Sequence, residues 1–165
     1  ITNYHFNVYP LPAFNLAGLD WDCDNDDQFD IVENIPNYIT KNKYVIRNEM
    51  NHLNGNQKMC LFSALAQHTK LKQNKSADKV KILTREYFVK WLKFCQQENL
   101  TYYLSTEKSF RGVRMCDMTY VEECFQVNIN LHQLNKDGSS FTMYSSVKDY
   151  KEVVHMHVYK RDYKH

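Results

Sequence analysis

The hydrophobic period changes along this chain, and no other feature of the sequence limits the fold as much. Between residues 77 and 97 the apolar side chains Tyr87, Phe88, Trp91, Leu92 and Cys95 recur at i, i+1, i+4, i+5 and i+8, which is one face of a helix. Cys60, Leu61, Ala64, Leu65 and His68 keep the same period and predict a helix from near Lys58–Cys60 to about Lys70. Downstream the period falls to two. Val127, Ile129 and Leu131 alternate with Asn128, Asn130 and His132, and Val154, Met156 and Val158 alternate with His155 and His157. Both patterns describe half-buried strands. Phe141 to Tyr144 suits a strand between them, after a turn at Asn135-Lys136-Asp137-Gly138. Tyr4, Phe6 and Val8 alternate with His5 and Asn7 near the start, and Tyr44-Val45-Ile46 is a further short apolar run. Thr119-Tyr120-Val121-Glu122 reads as a capping box that opens a short helix through about Phe125. Helices followed by clustered strands predict an α+β fold, with helices packed on a small mixed or antiparallel sheet.

Composition narrows the function classes. The chain's 165 residues fit one domain, with 1–50 read as an extended arm and acidic segment and 54–165 as its core. Twenty-one basic against 19 acidic residues give a net charge of +2. That is too weak a field for nucleic acid to be the expected main partner, despite the run Lys70, Lys72, Lys75, Lys79 and Lys81. No apolar run is long enough for a membrane-spanning helix, and no membrane partner is expected. The opening Ile1-Thr2-Asn3-Tyr4-His5 lacks the basic and apolar regions of a signal peptide, and there is no initiator Met. The expectation is a domain of a larger polypeptide, working in the cytoplasm.

The five cysteines, Cys23, Cys60, Cys95, Cys116 and Cys124, are odd in number, irregularly spaced and without a CxxC pair. Reduced thiols are expected rather than a disulfide scaffold or a zinc ribbon. Asp20-Trp21-Asp22-Cys23-Asp24-Asn25-Asp26-Asp27 spaces its carboxylates like a calcium loop, but Asn25 and Ile31 stand where such a loop needs Gly and Glu. A solvated loop capping a short helix that ends before Pro36 is the better reading. His155 and His157 share one strand face, yet no third ligand stands at a matching spacing. Neither metal nor cofactor is expected.

The sharpest chemical feature is Met59-Cys60-Leu61-Phe62-Ser63-Ala64-Leu65, which sets a cysteine at the start of an apolar helix after a polar, Gly-containing loop. The positive end of a helix dipole favours a thiolate, and its backbone N–H groups can receive an oxyanion. A nucleophilic thiol also needs a base, normally a histidine from elsewhere in the fold. His155, His157 and His165 near the C-terminal strand are candidates.

These residues resemble a known family. Cys60-Leu61-Phe62-Ser63-Ala64-Leu65 is similar to the Cys-Leu-Phe-x-Ala-Leu core of the ovarian tumour (OTU) family of deubiquitinating, papain-like cysteine proteases. Arg85 to Leu92 resembles the helix that supports the nucleophile helix there. Val121 to Ile129 resembles its short helix followed by a Val-x-Ile strand, and Val154 to Tyr159 its penultimate strand. The likeness covers about 54–165. It implies a protease cleaving after the C-terminal glycines of ubiquitin or a ubiquitin-like protein, with Cys60 as nucleophile, no cofactor, and His165 at the place of the family's histidine.

Three features depart from the pattern. Gln57-Lys58-Met59 stands where the family has Asp-Gly-x, so the oxyanion donors would come from the backbone at Met59 and from Gln57. The chain stops at His165, whereas the family's histidine is followed by an aromatic residue and often Asp or Asn. Tyr4-His5-Phe6-Asn7-Val8 carries that His-aromatic-Asn pattern at the other terminus, which leaves His5 as base with Asn7 as its orienting group open beside His165 and His157. The Asn-, Lys- and Tyr-rich composition suits a viral or mobile-element protein, acting in the host cytoplasm and also processing its own polyprotein. The alternative is a catalytically inactive papain-like module kept for binding.

Overall fold

The structure, a computed structural model, describes residues 4–8, 37–41, 45–47, 59–73, 76, 78–135 and 137–159, with backbone alone for 4–8, 40, 45–47 and 158–159. The acidic segment at 20–30, the helix expected before Pro36 and the turn at Asn54-Gly55 lie outside these residues. In chain order the elements are β1 (Tyr4–Val8), α1 (Asn37–Thr40), β2 (Val45–Arg47), α2 (Cys60–Gln73), α3 (Asp78–Gln97), α4 (Met118–Phe125), β3 (Val127–Leu134), β4 (Ser140–Tyr144) and β5 (Glu152–Tyr159). The architecture is mixed α+β. The strands form one sheet in the order β2-β1-β5-β3-β4.

All neighbouring strands are parallel except β3 and β4, which form an antiparallel pair. The turn between those two closes through Gly138 N–H to the Asn135 carbonyl at 3.1 Å. Gly138 has φ +86°, a conformation that a Cβ would disfavour. The sheet is therefore mixed, and it is not built from the late strands alone. The segment read as an arm supplies β1, which lies inside the sheet between β2 and β5. Pairing of Tyr4 with His155 spans nearly the whole chain, and a local periodicity carries no trace of it.

One face of the sheet is the core. Val127, Ile129 and Leu131 of β3 and Val154 and Met156 of β5 are buried together with Phe62 and Leu65 of α2, Phe88 and Trp91 of α3, and Val121 of α4. Alternation along a strand sends the intervening residues, including His132, His155 and His157, to the opposite face. In α2 every residue from Leu61 through Ala66 is buried, so the helix is covered all round. It packs on the sheet and on α3. Phe62 sits against the rings of Phe88, Phe110 and Phe125 at centroid distances of 5.8, 5.6 and 6.2 Å. Thr69 and Tyr87 join the two helices through hydroxyls 2.6 Å apart. The apolar stripe of α3 behaves as its spacing predicts: Phe88, Trp91 and Cys95 are buried, with Tyr87 and Leu92 packed at the margin.

The capping box does not form. Helix α4 starts at Met118, its N-cap residue is Asp117 without a side-chain cap bond, and Thr119 lies inside the helix. Asp117 instead accepts from Tyr102 Oη at 2.8 Å, Tyr103 Oη at 2.6 Å and Arg114 Nε at 3.0 Å. Glu122, the would-be box partner, is fully buried. Its carboxylate accepts from the Ile129 N–H at 2.9 Å and from the hydroxyls of Tyr144 and Ser146. A charge taken out of water is tolerated only with such partners, and here they tie α4 to β3 and to the end of β4.

Candidate active site at the start of the central helix

Cys60 is the first residue of α2 and is half-buried, while Met59 just before it is completely buried. The direction of α2 follows from one cluster. His68 Nε2 lies 3.4 Å from Glu152 Oε2, and Lys72 pairs with the same oxygen. Glu152 is the first residue of β5. The later turns of α2 therefore stand at the start of β5. Cys60 is eight residues before His68, about 12 Å back along the helix, so the start of α2 lies well away from Glu152.

Met156 is buried on the helix-bearing face. Its register partner in β1 is His5, and the partner of Val158 is Asn7. Positions 5 and 7 therefore share the phase of Met156, on the side of the sheet that α2 covers. Strand parity places positions 5 and 7 on one face of β1.

The other histidine candidates divide in two. His157 and His155 are excluded as partners of Cys60. They alternate with Val154 and Met156, and they stack on His132 on the far face, with ring centroids 5.0 and 5.9 Å apart, so the sheet stands between them and α2. His165 lies outside the described residues, as does Gln57. The side chain of Met59 is core packing, so any oxyanion role there belongs to the backbone.

Sequence reasoning missed two clusters. The Glu152 clamp on α2 was visible only as His68 on an apolar stripe. It sets the height of the helix against β5. Burial holds His68 below its ordinary pKa, with Glu152 opposing that shift, while Lys72 keeps Glu152 below the usual carboxylate range. The third histidine beside His155 and His157 is His132, brought in by the β3–β5 register. Among the described residues no group of three His, Cys, Asp or Glu is arranged to hold a metal ion, and no helix is long and apolar enough to cross a membrane.

Three further cysteines lie among the described residues. Burial pushes Cys95 and Cys124 up to about 12 each, from an ordinary 9.0. Three units reduce the thiolate fraction by about a thousandfold. Cys116 is exposed on the turn Met115–Asp117. Iodoacetamide at pH 7.5 is therefore expected to label Cys116 in the folded chain and to leave Cys95 and Cys124 unmodified until denaturant is added. Peptide mapping reads the result directly.

No family model, no curated protein and no solved structure matches this chain.

Proposed function

We propose that the chain is a papain-like, OTU-type cysteine protease that cleaves ubiquitin or ubiquitin-like conjugates. One observation supports the catalytic part: Cys60 opens the central helix, and register position 5 of β1 shares the phase of Met156, which is buried in the core that this helix joins. The substrate class rests on the likeness of Cys60-Leu61-Phe62-Ser63-Ala64-Leu65 to the family's nucleophile motif.

In this reading His5 withdraws the Cys60 thiol proton, and the sulfur attacks the carbonyl carbon of the substrate's terminal glycine. Asn7 holds the imidazole in one tautomer. The tetrahedral oxyanion is met by backbone N–H groups at Met59 and Cys60, where the helix end is positive. His5 returns its proton to the leaving amine as the C–N bond breaks and a thioester remains. Water, deprotonated by the same imidazole, then releases the glycine carboxylate and regenerates the thiol.

His165 follows the end of β5 by six residues and is the competing base. Hydrolysis of ubiquitin carrying a C-terminal fluorogenic amide separates the two. His5→Ala is expected to lower kcat/KM by about a thousandfold or more, and Asn7→Ala by about tenfold to a hundredfold. His165→Ala is expected to stay within about threefold of the parent. The reverse ranking assigns the base to His165. If folded His5→Ala and His165→Ala both keep full activity, the thiol–imidazole mechanism is wrong. A folded parent chain without activity favours the binding module, a reading consistent with Gln57-Lys58-Met59 in place of the family's Asp-Gly-x.

A further inference from the structure

We propose that β4 is an interface strand, and that two copies of this chain pair through it, antiparallel, into one continuous sheet. The order β2-β1-β5-β3-β4 leaves two edges. An edge strand offers a row of N–H and C=O groups to any chain that lies beside it, and proteins commonly blunt it with short length, charge or proline. The β2 edge is blunted: it is three residues long, carries Arg47 and follows Lys41 and Lys43. The β4 edge has none of these devices. It is five residues long, and no charged residue or proline occurs from Gly138 to Val147. Ser140, Phe141 and Thr142 are all exposed, Phe141 by 49%. Among the described residues, no backbone group outside the β3 pairing bonds to these three. The irregularity of the β3–β4 ladder lies between Leu131 and His132, opposite the end of β4, and leaves Ser140 to Thr142 in regular pairing.

The loop after β4 continues this uncharged surface. Val147, three residues past the strand, is 86% exposed. Its loop is held at Ser146, whose N–H donates to Asn130 Oδ1 at 3.0 Å, and at Tyr150, whose N–H donates to Asn128 Oδ1 at 3.2 Å. The apolar tip is thus presented in a fixed place, and little order is lost when it is covered. The occupant that fits is a second copy. A two-fold axis normal to the sheet sets identical edge strands antiparallel, and such a contact closes on itself as a dimer. A strand without charges meets its own copy without like-charge opposition. The ends are complementary as well. The sequence places Lys136-Asp137 before β4 and Lys148-Asp149 after it, about equally far from the strand's middle. Antiparallel pairing reverses one copy against the other, so unlike signs oppose. It brings Asp137 of each copy toward Lys148 of the other, a side chain that Glu123 holds at 2.8 Å. The pairing is independent of whether Cys60 is a nucleophile.

Sedimentation velocity of the full chain from about 5 to about 500 µM tests it. The parent is expected to move from 19.8 kDa toward about twice that mass as concentration rises. Phe141→Lys, which sets one lysine from each copy at the shared edge, is expected to raise the dimer Kd by about tenfold or more. A dimer that Phe141→Lys leaves unchanged overturns the proposal. A parent that stays monomeric throughout also overturns it, and leaves the edge to an extended peptide of another protein. Should Phe141→Lys not fold, a crosslink decides. With Cys116 replaced by serine, Thr142→Cys in the middle of the strand is expected to link two copies under mild oxidation, while Val89→Cys, on the exposed side of α3, is not. No link at Thr142→Cys, or equal linking at both positions, overturns the proposal.

Discussion

Glu122→Ala is expected to lower the Tm of the chain by about 10 °C or more at neutral pH. The residue is completely enclosed, and its carboxylate receives the Ile129 N–H and the hydroxyls of Tyr144 and Ser146. Truncation removes the acceptor, leaves the buried Ile129 N–H without a partner and empties the space the side chain filled, while the half-buried hydroxyls of Tyr144 and Ser146 turn in part to other partners. A buried donor left without a partner costs about 1–3 kcal/mol, and the lost network and packing bring the sum to about 3–5 kcal/mol. For a domain of this size each kcal/mol moves Tm by about 2–4 °C. Glu122→Gln can keep its oxygen toward the Ile129 N–H and offer its amide to the Tyr144 hydroxyl, which can accept, at the loss of the stronger bonds to a carboxylate, so an intermediate loss is expected. Calorimetry of the two variants checks both the size and the order. A Tm for Glu122→Ala within about 2 °C of the parent contradicts the view that this carboxylate fastens α4 to β3 and β4.

The second large effect concerns activity without stability. Cys60→Ala is expected to abolish hydrolysis of a ubiquitin amide, a loss of at least about a ten-thousandfold, while leaving Tm within about 3 °C. The two expectations have one cause. Cys60 is half-buried at the mouth of α2, and its truncation removes one sulfur from a margin of the core. Phe62, two residues on, is enclosed by three aromatic rings, and a change there would confuse folding with chemistry. Cys60→Ser is the sharper companion, because it keeps the shape and exchanges a thiol for a far less acidic hydroxyl. Cys116→Ser is expected to keep full activity. Residual turnover in Cys60→Ala above about a hundredth of the parent rate would remove Cys60 from the chemistry.

The long helix α3 was readable from its sequence because its apolar side chains keep one period over about two turns, from Tyr87 to Cys95, and the structure bounds it at Asp78–Gln97. Strands β3 and β5 were readable for the same reason, with polar residues returning at every second place. Helix α2 was readable by its motif more than by its pattern. It is buried on all sides from Leu61 to Ala66, so its sequence shows little contrast between faces. Glu122 shows where local chemistry misleads. A Thr-x-x-Glu spacing satisfies a capping box, yet the buried N–H of Ile129 and two hydroxyls compete for that carboxylate and win.

The candidate site was half legible. Cys60 at a helix start follows from local sequence. Its relation to position 5 depends on β1 entering the sheet beside β5, a pairing between the two ends of the chain. Parity in a strand fixes a face but not which face meets the helices. Hence His157, promising by spacing, lies across the sheet from α2, while the His5 position shares the side of Met156. His132 likewise joins His155 and His157 only through the β3–β5 register.

The central claim is that Cys60 is a nucleophile for ubiquitin or a ubiquitin-like protein. Its most direct test is intact-mass analysis after reaction with ubiquitin that carries a thiol-reactive group at its C-terminus, followed by peptide mapping. The account predicts a single adduct on Cys60 that persists when Cys23, Cys95, Cys116 and Cys124 are all replaced by serine and vanishes in Cys60→Ala. A folded chain that forms no adduct with ubiquitin or with ubiquitin-like modifiers, or an adduct that maps to Cys116, would contradict it.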